Sequence, residues 1–259
     1  DIPPFNDVRV RQALMLGIDY QGIVRDYYKG DAVIQTWPIA QFMSCYTPLE
    51  QLPADAKELF SYNTDKAKKL LADAGYPTGF KTTLSVGNVA RLVDDCSLIK
   101  EYLAKIGVDI SINAMETGSA TALAYSKKFP GMFYIRGWGN NGDEDALGWA
   151  HGGWRGAKGE QSVYNFGSVV DPVAEEVFNK IMTTPTQEGR DKLRKEEAIR
   201  EIKLAWELPM PTANGYMFWQ PWLKGFAGEY GLGPDPPEAP MIYTYVWIDQ
   251  NLKKQMTGR

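Results

Sequence analysis

The segment between residues 81 and 138 alternates strand-like and helix-like patterns, and this alternation constrains the fold more than any other feature. The pattern predicts three strands, over 82–86, 108–113 and 132–138, separated by two helices, over 89–106 and 119–127. A strand–helix–strand order needs crossover connections, so it predicts an α/β fold with a mostly parallel sheet flanked by helices. In such sheets ligands bind near the carboxyl ends of the strands.

Helical spacing of apolar residues also marks segments on both sides of this region. Near the start, Asn6 or Asp7 is placed to cap one helix, and Asp19 to cap a second. Thr64 is predicted to cap a third helix, which ends at Gly75. Two more helices are predicted over 172–182 and 187–204. The last of these is expected to turn five apolar side chains inward: Leu193, Ala198, Ile199, Ile202 and Leu204.

Two other segments lack this regularity. Residues 31–52 contain Pro38 and Pro48, are followed by Pro53, and show weak periodicity, which predicts a long surface loop of the kind that often lines sites. Near the end, predicted strands over 209–217 and 242–248 are separated by 231–237, which is too rich in proline and glycine for regular structure. The sequence therefore predicts an irregular C-terminal extension.

Charge and cysteine content exclude some classes of partner and cofactor. The 259 residues carry a formal net charge of -4, and their Lys and Arg residues are scattered, so we expect no nucleic-acid partner. Cys45 and Cys96 fit either one disulfide or two buried thiols. Two cysteines and one histidine, His151, fall short of the four ligands of a zinc site, and we predict no cofactor.

Two separated blocks of sequence resemble one protein family, in the same order along the chain. The first reads D-V-R-V-R-Q-A at 7–13, with Ile-Asp at 18–19, and the second reads Y-N-T-D-K-A-K-K-L-L-A-D-A-G-Y at 62–76. Both are similar to the second lobe of family 5 extracellular solute-binding proteins, the peptide/nickel type that serves ABC importers. The resemblance implies a periplasmic-binding-protein type II-like lobe over 1–226. It also implies that 227–259 returns toward the N-terminal lobe.

The same resemblance implies a function. Family members capture a small solute, peptide-like or another polar molecule, between two lobes and deliver it to a membrane permease. They are periplasmic, or extracellular and lipid-anchored. Since the chain begins where the second lobe would begin, we expect a fragment whose partner is the absent N-terminal lobe, and we expect the fragment alone to bind weakly.

The candidate ligand contacts follow the third predicted strand. Strand alternation places Tyr134, Arg136 and Trp138 on one face, and Arg136 needs either an internal carboxylate or an acidic ligand group as partner. In peptide-binding members of the family, an Asp in the next few residues meets the ligand's α-ammonium. That position falls here on Asn141, or on Asn140 if one residue is deleted. A neutral amide binds an ammonium more weakly, which argues against an ordinary peptide with a free amino terminus.

Aromatic residues in loops are the other candidates. Trp138 is predicted to form an apolar wall of the cleft, with core packing as the alternative, and Trp37 and Trp154 lie in loops suited to the same role. His151 fits a surface residue better than a metal ligand.

Catalytic motifs are missing from the sequence. There is no Gly-x-Ser-x-Gly elbow, no phosphate-binding glycine loop and no helical histidine pair, so we predict that the protein is not an enzyme. The alternative to solute capture is a protein–protein interaction module, in which Trp- and Tyr-rich surfaces bind a partner without any small ligand.

Overall fold

The computed structural model describes residues 2–39, 41, 43–135, 159–216, 218–226 and 246–259. The chain divides into two units, Asp1–Ala213 and Asn214–Arg259. The predicted lobe over 1–226 and returning segment over 227–259 remain predictions.

In chain order the helices are α1 (Val8–Leu16), α2 (Tyr20–Gly22), α3 (Ala54–Glu58), α4 (Thr64–Asp73), α5 (Ala90–Ala104), α6 (Thr117–Ser126), α7 (Pro172–Thr183), α8 (Gln187–Leu204) and α9 (Gln250–Thr257). The strands are β1 (Ala32–Val33), β2 (Phe80–Gly87), β3 (Val108–Met115), β4 (Met132–Tyr134), β5 (Thr212–Ala213), β6 (Leu223–Lys224) and β7 (Trp247–Ile248). A π-helical segment, Ile23–Tyr27, follows α2 directly, and a 3₁₀ turn covers Leu49–Gln51.

A three-stranded parallel sheet in the order β3-β2-β4 forms the centre of the first unit. Helix α5 connects the central strand β2 to β3, and α6 leads from β3 back across β2 to β4. These two crossovers run in opposite directions, so right-handed connections place their helices on opposite faces of the sheet. The predicted order of strands and helices is confirmed, although the predicted end of β4, at residue 138, lies outside the described residues.

The two faces of the sheet pack against different helices. Leu84, Val86 and Ile110 belong to the main core, together with Cys96 and other apolar side chains of α5. On the opposite face α6 packs closely, since a Cβ atom added at Gly87 would lie 3.7 Å from the Cβ atom of Ala120. Both faces of the central strand are therefore covered, which accounts for the buried run at its carboxyl half.

The first of the two family-like blocks connects helices. Arg11 donates from Nε and Nη2 to the carbonyl oxygen of Leu204, at 3.0 and 2.9 Å, and Gln12 donates from Nε2 to the carbonyl of Lys203 at 2.7 Å. Arg9 donates from Nη1 to the carbonyl of Asp73 at 2.7 Å. The last carbonyls of a helix have no partner within the helix, so these side chains satisfy the ends of α8 and α4.

The predicted caps are mostly confirmed. Asp7 caps α1 and Asp19 caps α2, whose continuation changes from α-helical to π-helical hydrogen bonding at Ile23. The predicted cap at Thr64 is wrong: Asn63 caps α4, accepting from the backbone N–H of Lys66, and Thr64 is the first helical residue. Asn is a better cap than Thr, which is the physical reason for the shift by one residue.

The prediction of a surface loop over 31–52 is wrong for much of its length. Ile39 and Cys45 are buried in a second apolar cluster with Ile181 of α7 and Ala198 of α8. The hydroxyl of Thr36 donates to the carbonyl of Thr47, which holds the two sides of the segment together. Within its described part, the segment covers helices and contributes to the core.

Helix α8 has the predicted bounds, but charged residues share its buried side. Of the predicted stripe, Ala198 and Ile202 are buried, whereas Leu193, Ile199 and Leu204 are half-buried. The other buried residues of α8 are charged: Arg194, Glu197 and Glu201. Arg194 contacts Asp191 at 3.1 Å, and Arg200 bridges Glu197 and Asp171 at 2.6 and 3.0 Å. Ion pairing offsets the cost of burying Arg194 and Glu197.

The second unit contains the β6–β7 antiparallel pair and α9. Its described part exposes large aromatic side chains, among them Phe218 (90% exposed) and Trp247 (57% exposed). The strands predicted over 209–217 and 242–248 are confirmed only as the two-residue strands β5 and β7 within the described residues. No helix in the described ranges has the length and apolar composition needed to cross a membrane.

Candidate functional site

The carboxyl edge of the parallel sheet is the place where this architecture offers a binding site. Strands β2, β3 and β4 end there at Gly87, Met115 and Tyr134, and the two crossovers leave β2 and β3 in opposite directions. Ligands of open α/β sheets bind at such a reversal of strand order, outside the carboxyl ends of the strands. The fold thus brings the end of β4, where the predicted ligand contacts begin, to this edge.

Helix α6 begins at this edge, and the carboxylate of its own N-cap residue binds its first backbone N–H groups. Glu116 caps α6, and its carboxylate accepts from the backbone N–H groups of Gly118 and Ser119, both at 2.8 Å. These backbone hydrogen bonds lower the pKa of Glu116 below its usual value. Because the carboxylate already accepts from two backbone N–H groups at the start of α6, this helix end is less suited to an acidic ligand group.

Tyr134 lies at the end of β4, with its side chain directed into the core. It is buried, and its hydroxyl donates to Oδ2 of Asp95 at 2.8 Å. Asp95 is 0% exposed on the second turn of α5, and its Oδ1 accepts from the hydroxyl of Tyr28 at 3.4 Å. The predicted role of Tyr134 as a ligand contact therefore competes with a role inside the protein.

Trp37 lines a small cavity in another part of the first unit. Most of the residues that line it are apolar or aromatic: Met15, Trp37, Pro38, Phe60, Ile202, Trp206 and Pro209. The other two, Glu201 and Glu207, carry carboxylates. The cavity volume of about 10 Å³ is close to the least that holds one water molecule. Tyr134 is not in this lining, so the structure does not bring these two predicted site residues together there.

The remaining predicted contacts, Arg136, Trp138, Asn140, Asn141 and Trp154, lie outside the described residues, as does His151. Their roles stay predictions. Among the described residues, no group of three or more His, Cys, Asp or Glu side chains is placed to hold a metal ion.

Cys45 and Cys96 form no disulfide, and each is a buried thiol in a different apolar cluster, Cys45 in the second and Cys96 in the main core. Burial, together with the adjacent Asp95, raises the pKa of the Cys96 thiol to about 12. Cys96 therefore occupies the core position that its helical spacing predicts.

Sequence reasoning missed Asp95. A signal was present, because Asp95 stands between Leu92 and Ile99 at the spacing of the apolar face of α5. A carboxyl group in such a stripe indicates a buried polar contact, but the pattern does not reveal its partners.

Comparison with known proteins assigns the family. The model of the bacterial extracellular solute-binding proteins, family 5 Middle, matches residues 1–158, more than half of the chain. The heme-binding protein A of Haemophilus influenzae is 27% identical over 231 residues, which is 86% of this chain and 40% of that protein. The glutathione-binding protein GsiB of Salmonella typhimurium is 34% identical over 143 residues, 52% of this chain and 26% of that protein.

Solved structures share the fold. The periplasmic binding protein DppA from Helicobacter pylori, in complex with the peptide STSA, superposes with a TM-score of 0.70 at 22% identity. That match covers 96% of this chain and 45% of the DppA chain. HbpA2 from Haemophilus parasuis gives a TM-score of 0.69 at 26% identity, covering 82% of this chain and 40% of that chain.

These similarities define a class of protein: a lobe with the type II periplasmic-binding-protein fold, as the sequence predicts. The chain belongs to the bacterial extracellular solute-binding proteins of family 5, and the predicted family is confirmed. Its named relatives are binding proteins. The chain spans 40% and 26% of the lengths of the two relatives named above.

Proposed function

We propose that this chain forms one lobe of the solute-binding component of an ABC importer. The single observation that carries the proposal is the family match over residues 1–158, which includes the whole β2–β4 sheet. The carboxyl edge of that sheet supplies the place for a ligand. A second lobe completes the site, because a shallow edge alone cannot surround a solute and exclude water from it.

In this proposal, the ligand contacts come from the end of β4 and the residues after it: Tyr134, Arg136, Trp138, Asn140 and Asn141, with Trp37 and Trp154 as further aromatic contacts. The ligand is a small polar molecule. Arg136 favours an acidic group, while the amide of Asn141 disfavours a plain α-ammonium. A modified or acidic peptide-like compound fits both features better than an unmodified peptide.

Delivery follows from capture. The two lobes close around the solute by a hinge, and the closed form is presented to the membrane permease. This role places the protein in the periplasm, or outside the cell on a lipid anchor, and it requires no chemical change of the ligand. The named relatives support a binding role, since each is called after what it binds.

The test is a thermal-shift screen of the full polypeptide that the gene encodes, against reduced glutathione, haem, the tetrapeptide Ser-Thr-Ser-Ala and acidic opines. A ligand present at 100 times its dissociation constant stabilises the folded state by about 2.7 kcal/mol, which raises the unfolding midpoint. Asn141→Ala and Trp138→Ala are expected to abolish the shift. Trp247→Ala, which changes an exposed aromatic residue of the second unit, is the matched control and should keep it.

A second candidate function is the interaction module. It is favoured by the exposed aromatic side chains of the second unit, where Phe218 is 90% exposed. If no solute shifts the midpoint, or if Trp247→Ala removes a shift that Trp138→Ala leaves intact, solute capture at the sheet edge is contradicted.

A further inference from the structure

Asp95 is a buried acidic residue near the carboxyl edge of β2, since it contacts Tyr134, the partner of Val86 in the sheet. Strand β2 ends at Gly87 and α5 begins at Ala90, and the second turn of α5, which carries Asp95 and Cys96, packs beside the carboxyl half of β2. The Asp95 side chain is 0% exposed. Burying a carboxyl group in the core is unfavourable unless polar groups form hydrogen bonds with it, so its hydrogen-bond partners are needed for stability.

Two tyrosines from separate parts of the chain donate to this carboxyl group. Tyr134 ends β4, and its hydroxyl lies 2.8 Å from Oδ2 of Asp95, a normal hydrogen-bond length. Tyr28 follows the π-helical segment Ile23–Tyr27, and its hydroxyl lies 3.4 Å from Oδ1, which indicates a weaker contact. Asp95 thus joins three elements: the π-helical segment, α5 and β4.

We propose that Asp95 is a positioning residue of the solute-binding edge. Its carboxyl group fixes the Tyr134 side chain, and with it the point where β4 ends, and it ties the end of the π-helical segment to the same place. The assignment rests on the proposed function, which makes this edge the ligand side. Asp95 acts through Tyr134 and does not touch the solute, because its side chain has no exposed surface.

Because β4 is short, a side-chain contact that fixes its last residue matters for its position. Strand β4 has three residues and pairs with β2 alone in the described sheet, through Met132, Phe133 and Tyr134. By contrast, β2 and β3 pair along eight residues. A short edge strand opens more easily than a long central one, so a buried side-chain contact at its last residue has a large effect on its position.

The test is hydrogen exchange of the full polypeptide without ligand, comparing wild type with Asp95→Asn, Tyr134→Phe and Tyr28→Phe. Exposed Asp94 provides the matched control, Asp94→Asn. In Asp95→Asn and Tyr134→Phe, amides of β4 should exchange about tenfold faster, while those of α4 stay within about twofold. Tyr28→Phe should affect the π-helical segment more than β4, because Tyr28 directly follows that segment whereas Tyr134 belongs to β4.

Several results would overturn the inference. Unchanged exchange in β4 would show that Asp95 positions nothing, and equal acceleration across α4 and β4 would show a general loss of stability. If Asp95→Asn does not fold, Tyr134→Phe decides the matter, because it removes only one hydroxyl. For any probe of the solute screen that binds wild type, Asp95→Asn should weaken binding by about fivefold or more in fully folded samples, and an unchanged affinity would refute the inference.

These outcomes separate the two proposals. A wild-type protein that binds none of glutathione, haem, tetrapeptide and opines contradicts solute capture, whatever the exchange data are. The exchange pattern decides whether Asp95 positions the end of β4 in either case.

Discussion

Replacement of Arg11 by alanine should destabilise the first unit strongly, although Arg11 belongs to a block that marks a ligand-binding family. The side chain donates three hydrogen bonds, two to the carbonyl of Leu204 and one, at 2.8 Å, to the carbonyl of Phe5. Its guanidinium is partly buried, and burial lowers the pKa of Arg11 from its ordinary value. We therefore expect the effect on stability to exceed any direct effect on ligand affinity.

The magnitude follows from the contacts. At about 1 kcal/mol net for each hydrogen bond, Arg11→Ala costs about 3 kcal/mol. For a unit of this size that loss lowers the thermal midpoint by about 6–12 °C. Arg11→Lys keeps the charge but cannot make the forked contact to Leu204, so it should cost about 1–2 kcal/mol.

Urea unfolding at pH 7, followed by circular dichroism, measures these differences. Arg25→Ala is the matched control, because Arg25 is largely exposed and pairs with its neighbour Asp26, so its loss should leave the unfolding free energy close to that of wild type. A double-mutant cycle between Arg11 and Gln12, which bind adjacent carbonyls at the end of α8, should show coupling. If Arg11→Ala stayed within about 0.5 kcal/mol of wild type, satisfying the end of α8 would not be the role of this residue.

Three further predictions concern other parts of the first unit. Gly79→Ala should cost about 3 kcal/mol or more in urea unfolding, because Gly79 has φ +78° and a Cβ there would lie 1.9 Å from the carbonyl oxygen of Gly107. Gly75→Ala, with φ +95° and open space around it, should cost only about 1–2 kcal/mol. Cys96, whose pKa is raised to about 12, should resist Ellman's reagent at pH 8 in the folded protein and react after unfolding. The Glu116 pKa is lowered from 4.5 by backbone hydrogen bonds, so its stabilisation is present above pH 4.5 and lost as the pH falls through the lower folded value. The stability difference between wild type and Glu116→Gln should then shrink in urea titrations as the pH falls below 4.5, and a difference that does not shrink would contradict this assignment.

Local signals account for the elements that the sequence predicts well. The bounds predicted for α8, 187–204, agree with the structure because Thr186 caps its start and Ala205 adopts a left-handed conformation at its end. The order of strands and helices between 80 and 134 depends only on periodicity, and it too is confirmed.

Tertiary contacts explain the failures. Arg194 and Glu201 have a charged, solvent-facing pattern in the sequence, yet they are buried in the folded unit. The segment predicted as a surface loop over 31–52 packs part of its length against α7 and α8, through Ile39 and Cys45. The burial of these residues could not be predicted from the sequence of α8 alone or of the 31–52 segment alone, because it depends on tertiary packing.

The residues that are recognisable in the sequence and the residues near the proposed site differ for the same reason, which is that tertiary contacts leave no local pattern. A motif of arginines and glutamine is easy to recognise in sequence, and in this fold Arg11 and Gln12 satisfy the end of a helix. The Asp95–Tyr134 contact joins residues 39 positions apart and leaves no periodic signal. A side-chain contact of that range depends on how α5 packs on the sheet, so sequence can indicate that Asp95 is unusual but not that it holds the end of β4. The residues that identify a family in sequence can therefore be those that assemble the lobe, while the residues that orient its binding edge emerge only from the packed structure.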